Sequence, residues 1–207
     1  MEKYEKYLHM LVDEIHSTIF ATVDSSGNPV TCAIDIMLAD EDGLYFLTAK
    51  GKAFYERLVA HPIISLTGVK GKDTMSSKSV TICGKVKEIG DGLLSEIFAK
   101  NQYMADIYPE EKSQKALTVF QIYEGEGEFF DLSVKPIFRE KFSFGNTAVK
   151  ETGYFVTGKC DGCGLCVDIC PQKCIDASCI PFRIEEEHCL HCGRCAEVCN
   201  QQAIERR

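Results

Sequence analysis

The residues whose types and spacing could do chemistry are the cysteines. Twelve occur in 207 residues; ten of them lie between Cys160 and Cys199, and Cys32 and Cys83 stand alone. Cys160, Cys163, Cys166 and Cys170 are separated by two, two and three residues, with Pro171 next. The same spacing returns 29 residues later as Cys189, Cys192, Cys195 and Cys199. Phe155 and Ile184, Gly164 and Gly193, and Ile175 and Ile204 keep that register, so the segment is an internal duplication.

Such spacing suits an iron–sulfur cube. Three thiolates from one tight loop can hold three irons, and a glycine after the second cysteine lets the backbone turn its amide hydrogens toward sulfur. The fourth iron needs a more distant ligand. In tandem motifs of this kind the cysteine before the proline serves the other cluster. One set is then Cys160, Cys163, Cys166 and Cys199, and the second is Cys189, Cys192, Cys195 and Cys170. Zinc is the bland alternative, but structural zinc seldom takes four cysteines within eleven residues, twice in tandem. A disulfide scaffold would not leave a body of 150 residues with two cysteines.

Residues 154–207 resemble the dicluster ferredoxins of bacteria and archaea, which implies a small α+β ferredoxin-like domain with two [4Fe–4S] clusters. Asn200 replaces the proline expected after Cys199, which bears on the geometry and potential of the cluster using that cysteine. Cys174 falls where Ala203 sits in the other repeat and reads as a small buried residue; Cys179 has no counterpart, and a redox-active pair of the two is the alternative. His188 and His191 flank Cys189 but are surplus to eight cysteine ligands.

The elements ahead of this tail read as mainly β. Tyr4, Tyr7, Leu8, Leu11, Val12 and Ile15 draw one apolar stripe along a helix over 4–15. Short β-rich runs follow at 19–23, 30–38, 44–48, 63–69 and 79–89, with a helix over 51–60 stopped by His61-Pro62. Asp91 is a candidate N-cap for a helix carrying Leu93, Leu94, Ile97 and Phe98. Leu117–Tyr123 and Glu128–Leu132 are expected to pair across a turn at 124–127. The whole predicts a split β-barrel with flanking helices over 1–133, a linker over 134–153, and the cluster domain over 154–207.

Within the barrel, Leu44 to Lys52 runs from a strand into a helix start, where a hydroxyl, a glycine and two lysines suit a phosphate. Solvated lysines between two elements are the plain alternative. Residues 5–133, through ATVDSSGNPVTCAIDIM, GLYFLTAKGKAFYERL and HPIISLTG, resemble the FMN-binding split barrels of the pyridoxamine 5'-phosphate oxidase superfamily, most of all its nitroimidazole-reductase-like branch. The resemblance implies FMN at a homodimer interface. It places the phosphate at Thr48, Lys50 and Lys52 with Phe54 and Tyr55 nearby, and the flavin ring beside Asp35, Ile36 and Met37. Barrel core for Ile36 and the aromatics, and a satisfied strand carboxylate for Asp35, are the alternatives. Met75-Ser76-Ser77-Lys78 reads equally as a loop reaching flavin or substrate and as an ordinary hairpin loop.

A flavin with two cubanes makes an oxidoreductase that converts between two-electron and one-electron transfer, reducing or oxidising a small molecule. A non-catalytic carrier or redox sensor, its barrel a flavin-binding or dimerising module, is the competing class, and haem on a barrel of the same shape is a third. The net charge of −8 and the lack of a basic run argue against nucleic acid. Two cubanes at about −2 each would take the loaded chain to about −12, suiting a one-electron partner protein with a basic docking face. No stretch is long and apolar enough for a membrane span, and the N-terminus lacks the pattern of an export signal, so the cytoplasm is expected; the family resemblance adds the homodimer.

Overall fold

The computed structural model describes residues 4–207 and divides into two compact units. One holds the described part of Met1–Lys70 with Ser79–Phe129 and Lys141–Val149; the other holds Gly71–Lys78, Phe130–Glu140 and Lys150–Arg207. The readings that start at Met1, the missing export signal and the first domain boundary, fall partly on residues 1–3, outside the described residues.

The first unit opens with α1 (Glu5–Met10), whose Tyr7, Leu8 and Met10 are buried. The predicted helix continues to residue 15, but Leu11–Ile15 widens into a π-turn. The chain must reverse there into a strand. His16 does this at φ 63° and ψ −67°, donating its N–H to the Leu11 carbonyl at 2.8 Å. Gly68 lies beneath this turn, where a Cβ would come within 2.8 Å of Leu11 and 2.9 Å of Ile15.

An eight-stranded sheet follows. Its strands are β1 (Ser17–Val23), β2 (Pro29–Asp35), β3 (Leu38–Asp40), β4 (Gly43–Ala49), β5 (Ile63–Lys70), β6 (Lys78–Gly90), β7 (Leu117–Asp131) and β8 (Phe138–Phe144). Their order is β2-β1-β5-β6-β7-β4-β3, with β8 on β7. Alternation along β1 and β5 puts Phe20, Ile64 and Leu66 inside, where they meet Leu44, Phe46, Ile82 and Phe120 as fully buried core. Four helices accompany the sheet: α2 (Ala53–Ala60), α3 (Leu94–Lys100), α4 (Met104–Ile107) and α5 (Glu111–Gln114). A mainly β barrel with flanking helices is thus the observed class.

Four local expectations change. The single strand predicted over 30–38 is split, because Ile36 donates to the His16 carbonyl at 2.9 Å and Met37 to the Tyr45 carbonyl at 2.8 Å; the chain passes from the β1 side of the sheet to β4. Asp91 does not cap with its side chain: α3 begins at Leu94, whose N–H bonds the Asp91 carbonyl at 2.9 Å. Residues 124–127 are no turn. They lie inside the fifteen-residue β7, because a Cβ at Gly125 would meet the Cys83 carbonyl at 2.7 Å and one at Gly127 would meet the Thr81 carbonyl at 2.7 Å and the Phe142 ring. Glycine marks close strand approach here, not reversal. Finally, the stretch expected as linker contains β8.

In the second unit β9 (Tyr154–Val156) pairs antiparallel with β12 (Ile204–Arg206), and β10 (Ile175–Asp176) with β11 (Arg183–Ile184). Two short helices, α6 (Leu165–Ile169) and α7 (Arg194–Glu197), follow Gly164 and Gly193 at φ 84° and 78°. Among the described residues no helix is long and apolar enough to cross a membrane.

Gly127→Ala should destabilise the first unit by about 1–3 kcal/mol, the usual cost of overpacking. A lower urea midpoint with an unchanged slope would show it.

Candidate functional site

The crossed strand pairing decides where the cysteines meet. The start of the first repeat pairs with the end of the second, which carries the last cysteine of each repeat toward the other's loop. One cavity is lined by Cys160, Cys163, Cys166 and Cys199, and another by Cys170, Cys189, Cys192 and Cys195 together with Cys174. Gly164 lines the first and Gly193 the second, so each loop turns through its left-handed glycine beside the space its thiols face. All twelve cysteines are free thiols. Among the described residues no three His, Cys, Asp or Glu side chains close on a point suited to a single ion. Four thiols lining one space match the ligand set of an iron–sulfur cube.

Burial raises the thiol of Cys166 and pushes Cys195 up to about 11. Metal loading therefore has to displace protons held by desolvation. Cys174, 2% exposed, lies 3.6 Å from Cys170. Its thiol donates to Cys189, which holds Cys189 at about 6 and raises Cys174 itself. Cys179 is exposed and reaches only the Pro181 carbonyl at 3.6 Å. His188 Nδ1 bonds the Ile137 carbonyl at 2.9 Å, while His191 sits between Arg139 at 2.5 Å and Glu186 at 3.0 Å. Arg139 and Glu186 carry no sequence signal of this role.

In the barrel the predicted phosphate residues separate. Thr48, 3% exposed, faces inward on β4, and its hydroxyl oxygen has no partner. Lys50 is exposed with its amine 4.0 Å from Glu88. Lys52, exposed, stands at the N-cap position of α2. Phe54 is buried among Phe20 and Phe46, as core. The Tyr55 hydroxyl donates to Glu88 at 3.0 Å, which raises its pKa. The sequence reading overlooked two residues here. Glu88 also accepts from Thr118 at 2.7 Å, and Arg57, one turn into α2, donates to Thr22 at 2.8 Å. Alternation on β6 puts Glu88 on the inward face with Val80, Ile82 and Val86, where a carboxylate is out of place and could have been noticed, and nothing local sets Arg57 apart.

The residues predicted beside a flavin ring also divide. Ile36 is fully buried and Met37 5% exposed, so both side chains are core. Asp35 accepts from Ser17 at 2.5 Å and from Tyr103 at 2.7 Å, and His16 Nε2 lies 3.5 Å away. Burial works to raise its carboxyl, but those hydrogen bonds and His16 more than offset it and hold the group below the usual range. Tyr103 was not singled out from sequence; burial, then its bond to Asp35, raises its pKa. Met75, in a 3₁₀ turn capped by Asp73, is exposed in the second unit.

The family described as "Pyridoxamine 5'-phosphate oxidase" matches residues 5–128, which is more than half of the sequence. The chain belongs to that family. A "4Fe-4S binding domain" matches twice, at residues 154–176 and 182–205, once on each repeat. Comparison with curated proteins found no match. Among solved structures, a NimC/NimA family protein from Clostridium acetobutylicum is similar with a TM-score of 0.54 and 16% identity, covering 68% of this chain and 92% of its own. A pyridoxamine 5'-phosphate oxidase-related, FMN binding protein from Nostoc punctiforme gives 0.53 and 12%, covering 73% and 98%. A heme binding protein from Mycobacterium smegmatis gives 0.51 and 13%, covering 69% and 58%. At such identities these likenesses establish the fold. The two family matches together give the chain a redox, electron-transfer character.

The two threonines that face each other across β4 and β7 should respond differently to loss of the hydroxyl. Thr118→Val removes a bond to a carboxylate and should cost about 1.5–3 kcal/mol, whereas Thr48→Val removes an unpaired hydroxyl and should be neutral or stabilising in the cofactor-free protein. Denaturant midpoints of the two variants provide the comparison.

Proposed function

We propose that the chain is an oxidoreductase that passes electrons between two [4Fe–4S] clusters and FMN, reducing or oxidising a small molecule. The observation that carries this reading is the pair of four-cysteine cavities in a chain whose remaining part belongs to the pyridoxamine 5'-phosphate oxidase family. Cys160, Cys163, Cys166 and Cys199 would hold one cluster, and Cys189, Cys192, Cys195 and Cys170 the other. Bound FMN supplies exchange of electrons in pairs or singly, and the cubanes exchange them one at a time.

The chain's own residues have definable parts. Lys52, at the start of α2, offers a cation to a phosphate, and the unpaired hydroxyl of the neighbouring Thr48 is a buried donor awaiting an acceptor. Lys50 is shared with Glu88, so its contribution is smaller. Phe54 anchors α2 on Phe20 and Phe46, and Tyr55 ties it to Glu88. Asp35, with Tyr103 and His16, provides a hydrogen-bonded polar edge at the end of β2. Ile36 and Met37 would act by packing beneath that edge.

The partner assignments belong to the same reading. An acidic chain carrying further negative charge on its clusters fits a one-electron partner with a basic docking face and leaves nucleic acid unattractive. The outward side chains of β1 and β5 include Ile19, Ile63 and Val69, all more than half exposed, with Ser65 and Thr67 between. An uncharged sheet face of this kind suits a second copy of the chain in a homodimer. The cytoplasm is the assigned compartment, in keeping with free thiols.

Protein purified without air should show flavin absorption beside the broad iron–sulfur bands. Lys52→Ala should lower flavin occupancy while iron content stays at the wild-type level. A brown protein with no flavin would favour the carrier or sensor class, a Soret band would favour haem, and unchanged flavin in Lys52→Ala would remove the phosphate assignment.

A further inference from the structure

The duplication permits a controlled comparison of the two cavities. They are equal in volume, at about 20 Å³. Burial differs, with only Cys166 buried in the first set and Cys170, Cys189 and Cys195 buried in the second. Each has a backbone amide bonded to a cysteine sulfur at 3.3 Å, from Ala203 to Cys199 in the first and from His191 to Cys189 in the second. Shape and amide bonding therefore do not distinguish the sites.

Charge does. In the 29-residue register Asp161 corresponds to Leu190, and Leu165 to Arg194. Asp161 lines the first cavity, its carboxylate fixed by the Cys163 amide at 3.1 Å and by Gln201 at 2.9 Å. Arg194 lines the second cavity. It pairs with Glu197 at 2.6 Å, but the first repeat has its own acid at that register position, Asp168, so the arginine is the excess. Glu186, the other acid near Cys189, is balanced by Arg139 through the His191 bridge. Among the residues that line the cavities, the first therefore has an additional negative charge and the second an additional positive one.

We propose that the two cavities hold clusters of unequal reduction potential, with Asp161 lowering the one bound by Cys160, Cys163, Cys166 and Cys199 and Arg194 raising the one bound by Cys170, Cys189, Cys192 and Cys195. The proposal rests on the two-cluster reading above. Adding an electron to a cube next to a carboxylate is opposed, and next to a guanidinium is favoured. The first electron to reach this domain settles on the second cluster, which gives the pair a direction.

An anaerobic potentiometric titration of the full chain, read by electron paramagnetic resonance, tests this. Wild type should take up two electrons per domain in two separated one-electron steps. Asp161→Leu should move the lower step upward and leave the upper one in place; Arg194→Leu should move the upper step downward and leave the lower. Both positions are exposed and each variant installs the residue of the opposite repeat, so folding is not at stake. Exchanging all four positions, with Asp161→Leu, Leu190→Asp, Leu165→Arg and Arg194→Leu together, should restore two steps with their assignment reversed. Coincident steps in wild type, or an unmoved lower step in Asp161→Leu, would overturn the proposal alone. A total of one electron would overturn the two-cluster reading with it.

Discussion

A cube of four irons held by thiolates needs a ligand that an eleven-residue loop with three well-placed cysteines cannot add from its own tight turn. That constraint organises the C-terminal repeats. It makes two similar loops worth more than one, since each can lend its last cysteine to the other. The fold meets it through strand pairing: β9 from the first repeat lies on β12 from the second, and β10 on β11, so the outer and inner ends of the duplication are interleaved. Two short strands in each pair would be marginal alone, as isolated two-stranded ribbons are. The buried cluster that includes Ile175, Phe182 and Ile204 is built around cysteines, so the thiols and the hydrophobic core share the same space.

The barrel obeys a different constraint, which is close approach. Gly84, Gly125 and Gly127 let β6 and β7 run within reach of each other's backbone, and Gly68 lets the N-terminal helical segment sit on the sheet. Elsewhere Asp35, Tyr103 and His16, far apart in sequence, converge at the split between β2 and β3. His16 adopts a sparsely populated backbone conformation there.

The sequence made the cluster domain legible because its ligands are consecutive and repeated; spacing and register alone bring out the eight cysteines that line the two cavities. The barrel was legible in its class and strand positions, since alternation in β1 and β5 is a local signal. It was not legible where long-range bonds intervene. Gly125 and Gly127 look like a turn unless Thr81, Cys83 and Phe142 are known to lie against them. Ile36 and Met37 look like one strand with β2 until the carbonyls of His16 and Tyr45 claim their amides on opposite sides. Tyr103 has no local signature, and Glu88 shows only as a carboxylate at an inward position of β6; the fold alone shows that Glu88 gathers Tyr55, Thr118 and Lys50 and that Tyr103 meets His16 and Asp35.

The central claim is that each half of the duplicated tail completes a cube begun by the other. Iron and acid-labile sulfide, counted in oxygen-protected preparations, test it most directly. The account predicts about eight of each per polypeptide. Zinc in their place, or a value near four irons, would contradict it.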